Sequence, residues 1–200
     1  MKITMIRHGQ TDYNQRRLVQ GGRTDISLNE TGRQQAQKLA AQFDPKIYDQ
    51  IIVSPMTRAM ETAEILTGYQ DCKTDERLRE IDFGNWEGES VMALQKTCPG
   101  CFDRQTKLIL PDYAPVANGE TFEAARARTF ALVTDTFAAW PEGNILLICH
   151  GTIIRCLMAE VMHIAQVQQL GQVANVSLTQ LTINNLITGD VRLDFYNRTV

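Results

Sequence analysis

This sequence predicts a three-layer α/β/α domain, a mostly parallel sheet with helices on both faces. Three observations carry that prediction. Short apolar, β-branched segments alternate with helix-period segments along most of the 200 residues. One of them, Ile145-Leu146-Leu147-Ile148-Cys149, is apolar at every position, the pattern of a strand buried on both faces. The residues with the most versatile chemistry, Arg7-His8, Ser54 with Arg58, and His150-Gly151, all fall just after predicted strands.

Taken in order, Lys2 to Ile6 reads as a strand that ends at Arg7-His8, before Gly9. Gln10 to Asn29 is polar, holds Gly21-Gly22 and has no period, so it is a long loop. A helix follows, capped by Asn29 or Thr31, with Ala36, Leu39, Ala40 and Phe43 on one face. Ile51-Ile52-Val53 is a second buried strand; Ser54 then reads as an N-cap and Pro55 as the first helical residue. That helix carries Ala59, Ala63 and Leu66 to a stop at Gly68. Asp75 to Asn118 is irregular, with Pro99, Pro111 and Pro115 and one short helix around Ser90 to Gln95. Thr121 to Trp140 is a strong helix whose stripe is Phe130, Val133, Phe137 and Trp140. The all-apolar strand ends at His150-Gly151, and a helix bearing Ile154, Leu157, Met158 and Val161 starts at once. Ser177 to Ile183 and Val191 to Tyr196 are two closing strands joined by a turn at Thr188-Gly189-Asp190. The result is a Rossmann-like order, in which ligands bind beyond the carboxyl ends of the strands.

Length and composition bound the rest. Residues 1–200 fit a single domain. A formal net charge of −3 gives no global basic field for nucleic acid or an anionic membrane, so an anionic ligand must be held by locally placed arginines. No apolar run reaches the roughly 20 residues of a membrane helix, and the start is charged too early for a secretory signal. Five cysteines, an odd number without a leader, read as reduced thiols. These features predict a cytoplasmic protein without membrane or nucleic-acid partners; the sequence carries no signal for an oligomeric state.

The crevice at the strand ends would hold His8, His150, Arg7 and Arg58, joined by a carboxylate if the following loop reaches it. Arginine forks suit phosphate oxygens and stay charged. Helices beginning after Ser54 and after His150 would aim backbone N–H groups at the same place. A neutral imidazole can attack phosphorus and carry the phosphoryl group. Phosphoryl transfer needs mainly positioning and charge stabilisation, so neither a metal nor a cofactor is called for.

Arg7-His8-Gly9-Gln10-Thr11 resembles the signature of the histidine phosphatase superfamily, which includes cofactor-dependent phosphoglycerate mutases. Ser54-Pro55-Met56-Thr57-Arg58-Ala59, followed by Thr62-Ala63, is similar to its second arginine block. Leu78 to Gly88 looks like its acid segment, and Ile148-Cys149-His150-Gly151-Thr152 with Arg155 like its second histidine block. Four blocks in the family's order are far more specific than one Arg-His-Gly. The resemblance implies that His8 is the nucleophile, that Arg7, Arg58 and His150 stabilise the transferring group, and that Glu80 is the proton donor. It implies phosphate contacts from Asn14, Gln20 and Thr152. The chain departs from the family in Ser27, where proline is common, in a Gly21-Gly22 pair that lengthens the loop, and in Cys149, where a small residue such as serine is usual.

Plainer readings compete. Either histidine alone reads as an ordinary strand-end residue, and Arg58 alone as a surface charge. Glu80 competes with Glu76, Asp82 and Glu87, and spacing cannot choose among them. Cys98-Pro99-Gly100-Cys101 lacks a second ligand pair for zinc and reads as an incidental turn. Trp86 reads as packing at least as well as substrate stacking. The leading expectation is a phosphomonoesterase on small phosphorylated metabolites. The alternatives are a phosphoglycerate mutase, disfavoured by scattered prolines and few cations after the acid segment, and an inactive binding protein, disfavoured by the intact residue set. The segment Glu89 to Asn118 carries Val91, Met92, Leu94, Phe102, Leu108, Ile109, Leu110 and Tyr113 but only Lys96, Arg104 and Lys107 as cations. It predicts an apolar leaving-group pocket and broad specificity.

Overall fold

The computed structural model describes residues 1–69 and 72–199. Six strands form one sheet: β1 (Lys2–Arg7), β2 (Gln50–Val53), β3 (Cys72–Thr74), β4 (Asn144–Cys149), β5 (Leu178–Asn185) and β6 (Asp190–Arg198). Their order is β3-β2-β4-β1-β5-β6. The first four run parallel, and β5 and β6 continue the sheet antiparallel. The helices are α1 (Asp12–Arg16), α2 (Glu30–Ala40), α3 (Thr57–Thr67), α4 (Val91–Thr97), α5 (Tyr113–Ala117), α6 (Phe122–Ala139) and α7 (Gly151–Val161).

The α/β class expected from the alternation is the one observed, and β4 shows why. Ile145, Leu147 and Cys149 face one core with residues of α6 and α7; Leu146 and Ile148 face the other with Leu39 of α2 and Ala59, Ala63 and Leu66 of α3. Successive strand side chains point to opposite faces, so a central strand covered on both sides must be apolar throughout. Helix α7 packs against α6 and over β1, and buries almost its whole circumference.

Several local expectations are corrected. Ser54 is not a helix cap and Pro55 is not a first helical residue. The helix starts at Thr57 after Met56, with no side-chain cap. The Ser54 hydroxyl is engaged elsewhere, by His150 at 2.7 Å. Thr57 at the start of α3 instead donates its N–H to Asp25 Oδ1 at 2.8 Å. The loop after β1 contains α1, closed by a capping box between Thr11 and Asn14. Strand β3 and helix α5 went unread because each is very short, and β3 is largely exposed. In α6 the buried face is Phe122, Ala125, Thr129, Leu132, Val133 and Thr136. Phe130 and Phe137 pack only at its flank, and Trp140 is 40% exposed. Thr129 and Thr136 donate their hydroxyls to the Ala125 and Leu132 carbonyls. With that polar group satisfied, a small threonine serves the helix–helix contact better than a large ring.

Candidate active site

Strand register builds the centre of the site. Arg7 of β1 lies opposite Cys149 of β4, and Val53 of β2 opposite Ile148. The next residues, His8, His150 and Ser54, therefore leave three adjacent parallel strands at one edge. His8 N–H donates to the Cys149 carbonyl at 3.0 Å, and Ser54 N–H to that of Ile148 at 2.9 Å. The two imidazole centroids are 5.2 Å apart.

His8 Nδ1 lies 2.7 Å from the Gly9 carbonyl. A carbonyl only accepts, so Nδ1 carries the hydrogen and Nε2 the lone pair. Burial, then the charges of Arg58 and Arg7, hold the His8 ring well below the ordinary imidazole range, and His150 is pushed the same way. Both rings are thus neutral near pH 7. Arg7 Nη1 donates to the Val173 carbonyl at 2.6 Å. Arg58 is wholly buried and donates to the Thr24 and Gly21 carbonyls at 2.8 and 3.2 Å. Desolvation lowers its pKa to about 10, still protonated at neutral pH. A side chain at Gly151 would press on Arg7, since a Cβ there would lie 3.3 Å from Arg7 Nε.

Glu80 is the carboxylate the loop delivers. The Ile81 N–H donates to its Oε1 at 2.9 Å and the Thr152 N–H to its Oε2 at 3.2 Å. Burial raises its pKa, opposed by those two N–H groups and by Arg58 and Arg7. The competing carboxylates are committed elsewhere. Glu87 accepts from Arg23 N, Phe83 N and Thr24 Oγ1, Asp82 pairs with Arg23, and Glu76 is an exposed partner of Arg79. Gly21-Gly22 lets the first loop lie on this acid segment, because a Cβ at either would come within 2.6 to 2.7 Å of the Ile81 or Glu80 carbonyl.

Thr11 Oγ1 and Asn14 Nδ2 both donate to Gln20 Oε1, at 2.8 and 2.9 Å. That fixes the Gln20 amide and leaves Nε2 as its outward donor. Arg7 Nε, Arg58 Nε, His150 Nδ1 and Gln20 Nε2 are all buried without a hydrogen-bond partner. Thr152 contributes its backbone N–H to Glu80 and lines the cavity. The structure therefore brings together all eight residues singled out in the sequence, with Asn14 and Thr152 bonded to Gln20 and Glu80 respectively.

The sequence profile of the histidine phosphatase superfamily, branch 1, matches residues 3–196. The chain belongs to this superfamily. A glucosyl-3-phosphoglycerate phosphatase of Mycobacterium tuberculosis is 33% identical over 196 residues, which cover 90% of this chain and 85% of the relative. A probable phosphoglycerate mutase, GpmB of an Enterobacter species, is 29% identical over 185 residues, covering 90% and 84%. The solved structure of Bacillus stearothermophilus YhfR matches with a TM-score of 0.85 at 28% identity, over 100% of this chain and 98% of that one.

In this histidine phosphatase the cavity beside His8 measures about 240 Å³. Val91, Leu108 and Ile109 of the irregular segment line it as expected, joined by Lys107, whereas Tyr113 and Phe102 lie in the core and Met92 is 65% exposed. Leu18, Val19, Phe83, Phe122 and Gln172 add to the wall without a local signal of that role, and Arg155, noted only as part of the second histidine block, lines it as well. Asn175 was also missed; its Nδ2 donates to the His8 carbonyl at 3.0 Å and to Asn14 Oδ1 at 3.2 Å, tying the strand end to the first loop. Trp86 is packing: its ring stacks on Phe102 at 5.6 Å, beside Tyr113. Cys98 and Cys101 flank a single turn, and Cys101 Sγ donates to the Asp112 carbonyl. Among the described residues no group of three or more His, Cys, Asp or Glu is arranged to hold a metal ion, and no helix is long and apolar enough to cross a membrane.

The two buried neutral histidines make stability pH-dependent. As pH falls through about 6.5 the unfolded chain takes up protons that the folded rings refuse, so stability present above that pH is lost below it. Glu80 works oppositely, because a raised folded carboxyl favours the folded chain at low pH and loses that contribution as pH rises. From pH 7.5 to 5.5 each buried histidine costs on the order of 1 kcal/mol, offset in part by Glu80, so the clean measure is the difference between proteins. By urea denaturation, His8→Ala should lose about 1 kcal/mol less stability over that range than the unsubstituted protein; the same change in both would show that the folded His8 ring accepts a proton.

Proposed function

We infer that this phosphatase hydrolyses small phosphate monoesters through a phosphohistidine at His8. The observation that carries the reading is the set of four buried, unpartnered donors on Arg7, Arg58, His150 and Gln20 around a neutral His8. Buried donors are almost always satisfied, and phosphoryl oxygens are acceptors that match them.

In the first step the His8 Nε2 lone pair attacks phosphorus, and the bond from phosphorus to the ester oxygen breaks. Glu80, whose hold on a proton is strengthened by burial, gives a proton to the departing oxygen. In the second step the Glu80 carboxylate takes a proton from water, the water oxygen bonds phosphorus, and the P–N bond returns its electrons to Nε2. When the Ser54 hydroxyl donates to His150 Nε2, His150 Nδ1 bears a hydrogen for an equatorial oxygen, beside Arg7 and Arg58. Names among the relatives, glucosyl-3-phosphoglycerate phosphatase included, support a phosphorylated metabolite as substrate. An odd count of five cysteines, read as reduced thiols, supports a cytoplasmic setting, and the net charge of −3 a small soluble ligand rather than nucleic acid.

Rapid mixing with phosphorus-labelled substrate should trap an adduct that is labile to acid and stable to alkali. Turnover without such an adduct would exclude the mechanism. Because Arg7 and Arg58 supply the positive charge, chelators should leave the rate unchanged, while vanadate, which adopts the five-coordinate shape of the transferring group, should inhibit. Activity lost to a chelator and restored by magnesium or zinc would mean the charge comes from a metal. A mutase would instead hand the phosphoryl group back to substrate, seen as transfer between labelled and unlabelled esters outpacing phosphate release.

A further inference from the structure

The phosphoryl-binding residues account for only part of the charge around the cavity. A phosphate monoester brings about two negative charges, and Arg7 and Arg58 match them. Two cations remain in the wall: Arg155, from α7, and Lys107, exposed at the rim. The irregular segment, which the sequence made the source of specificity, supplies only the second.

Arg155 is the informative one. It is 3% exposed, and its surroundings are carbonyls, with Nε donating to Leu170 at 3.1 Å and Nη2 to Val167 at 3.2 Å. A guanidinium has five N–H donors, so these contacts leave others available to the cavity it lines. Among the described residues no carboxylate forms a salt bridge with it. The charge of Glu80 reaches it only at a distance, and a buried charge with no directly paired counter-charge is costly unless something pairs with it. The cavity that Arg155 shares with His8 has an apolar side, Leu18, Val19, Phe83, Leu108, Ile109 and Phe122, alongside polar Thr152 and Gln172.

We propose that the leaving group of the substrate carries a second anionic group, separated from the phosphate by an apolar body, and that Arg155 binds it with Lys107 at the rim. This deepens the phosphatase reading and rests on it. It makes Arg155 a specificity residue: the guanidinium rewards a second anion on the leaving group and offers nothing to a neutral one. The apolar wall accepts many bodies, so selection falls on charge rather than on shape.

The test uses His8→Ala protein, so that binding is read without turnover. Calorimetric titration compares 4-carboxyphenyl phosphate with 4-carbamoylphenyl phosphate, two esters of nearly the same shape that differ by one charge; 1,4-phenylene bisphosphate forms a third arm. The carboxylate or the bisphosphate should bind at least about tenfold more tightly than the amide, and whichever does identifies the anion. Adding Arg155→Gln should abolish that advantage, and adding Lys107→Ala, at an exposed position, should reduce it, with thermal melting confirming each fold. Equal affinity for all three esters, or an advantage that survives both substitutions, would overturn the proposal. Failure of the phosphatase reading shows separately, as absence of phosphate release from every ester by the unsubstituted protein.

Discussion

Replacing His8 with alanine is expected to lower kcat/KM by at least about four orders of magnitude while the protein still folds and binds phosphate esters. The loss is large because no neighbouring group can substitute. His150 Nε2 is held by Ser54 at 2.7 Å, and the ring is oriented by that contact rather than toward in-line attack. Arg7 and Arg58 remain charged and cannot act as nucleophiles. The fold should survive because the His8 side chain makes a single hydrogen bond, to its own neighbour Gly9, while its backbone ties to Cys149 and Asn175 are independent of the ring. The check is steady-state kinetics with a phosphate-release assay, alongside thermal melting and ester binding by calorimetry. A variant that retained even a hundredth of the rate would place the nucleophile elsewhere.

The second large effect belongs to Glu80. Glu80→Gln keeps the shape and an oxygen that can still accept from Ile81 or Thr152, and it removes the proton. A general acid contributes most when the leaving oxygen is a poor leaving group, so kcat/KM should fall about two to four orders of magnitude on an alkyl phosphate and far less on a nitrophenyl phosphate. That ratio reports steps up to the first irreversible one, phosphorylation of His8. The second step still needs a base for water, so kcat should fall on both esters. With the nitrophenyl ester the variant should release a burst of phenolate equal to the enzyme present, then turn over slowly. Equal losses on the two esters with no burst would remove Glu80 from the acid role. Glu87 and Asp82 would be poor replacements, since hydrogen bonds to Arg23, Thr24 and backbone N–H groups already occupy them.

What could be read from the sequence is what local chemistry encodes. An unbroken apolar run at 145–149 demands cover on both faces, and the strand it predicts is there. Arg7-His8 and His150-Gly151 sit at strand ends because each follows a strand-forming segment, Lys2 to Ile6 and Ile145 to Cys149, and the four blocks around them pointed to the family. Asn29 caps α2 and Ser90 caps α4, since a side-chain oxygen just before a helix satisfies its first N–H groups. Ser54 showed the limit of that rule: the same residue type before the same kind of helix serves a histidine 96 positions away.

Tertiary structure decided everything that depends on register and on contacts distant in the chain. Arg7 opposite Cys149 is a hydrogen-bond alignment between strands 142 residues apart, and it alone places the two imidazoles 5.2 Å from each other. Spacing could not choose among four carboxylates; the Thr152 N–H, 72 positions from Glu80, could. Asn175 and Gln172 had no motif to announce them, because their roles come from the loop after α7 folding back on the end of β1; Arg155 stood in the second histidine block, but nothing local said that it lines the cavity. A residue's own neighbours set its backbone conformation and its preference for burial. Which groups then share one cavity is set by packing the whole sheet, and that is how Arg155 came to line it with backbone carbonyls rather than a salt-bridged carboxylate as partners.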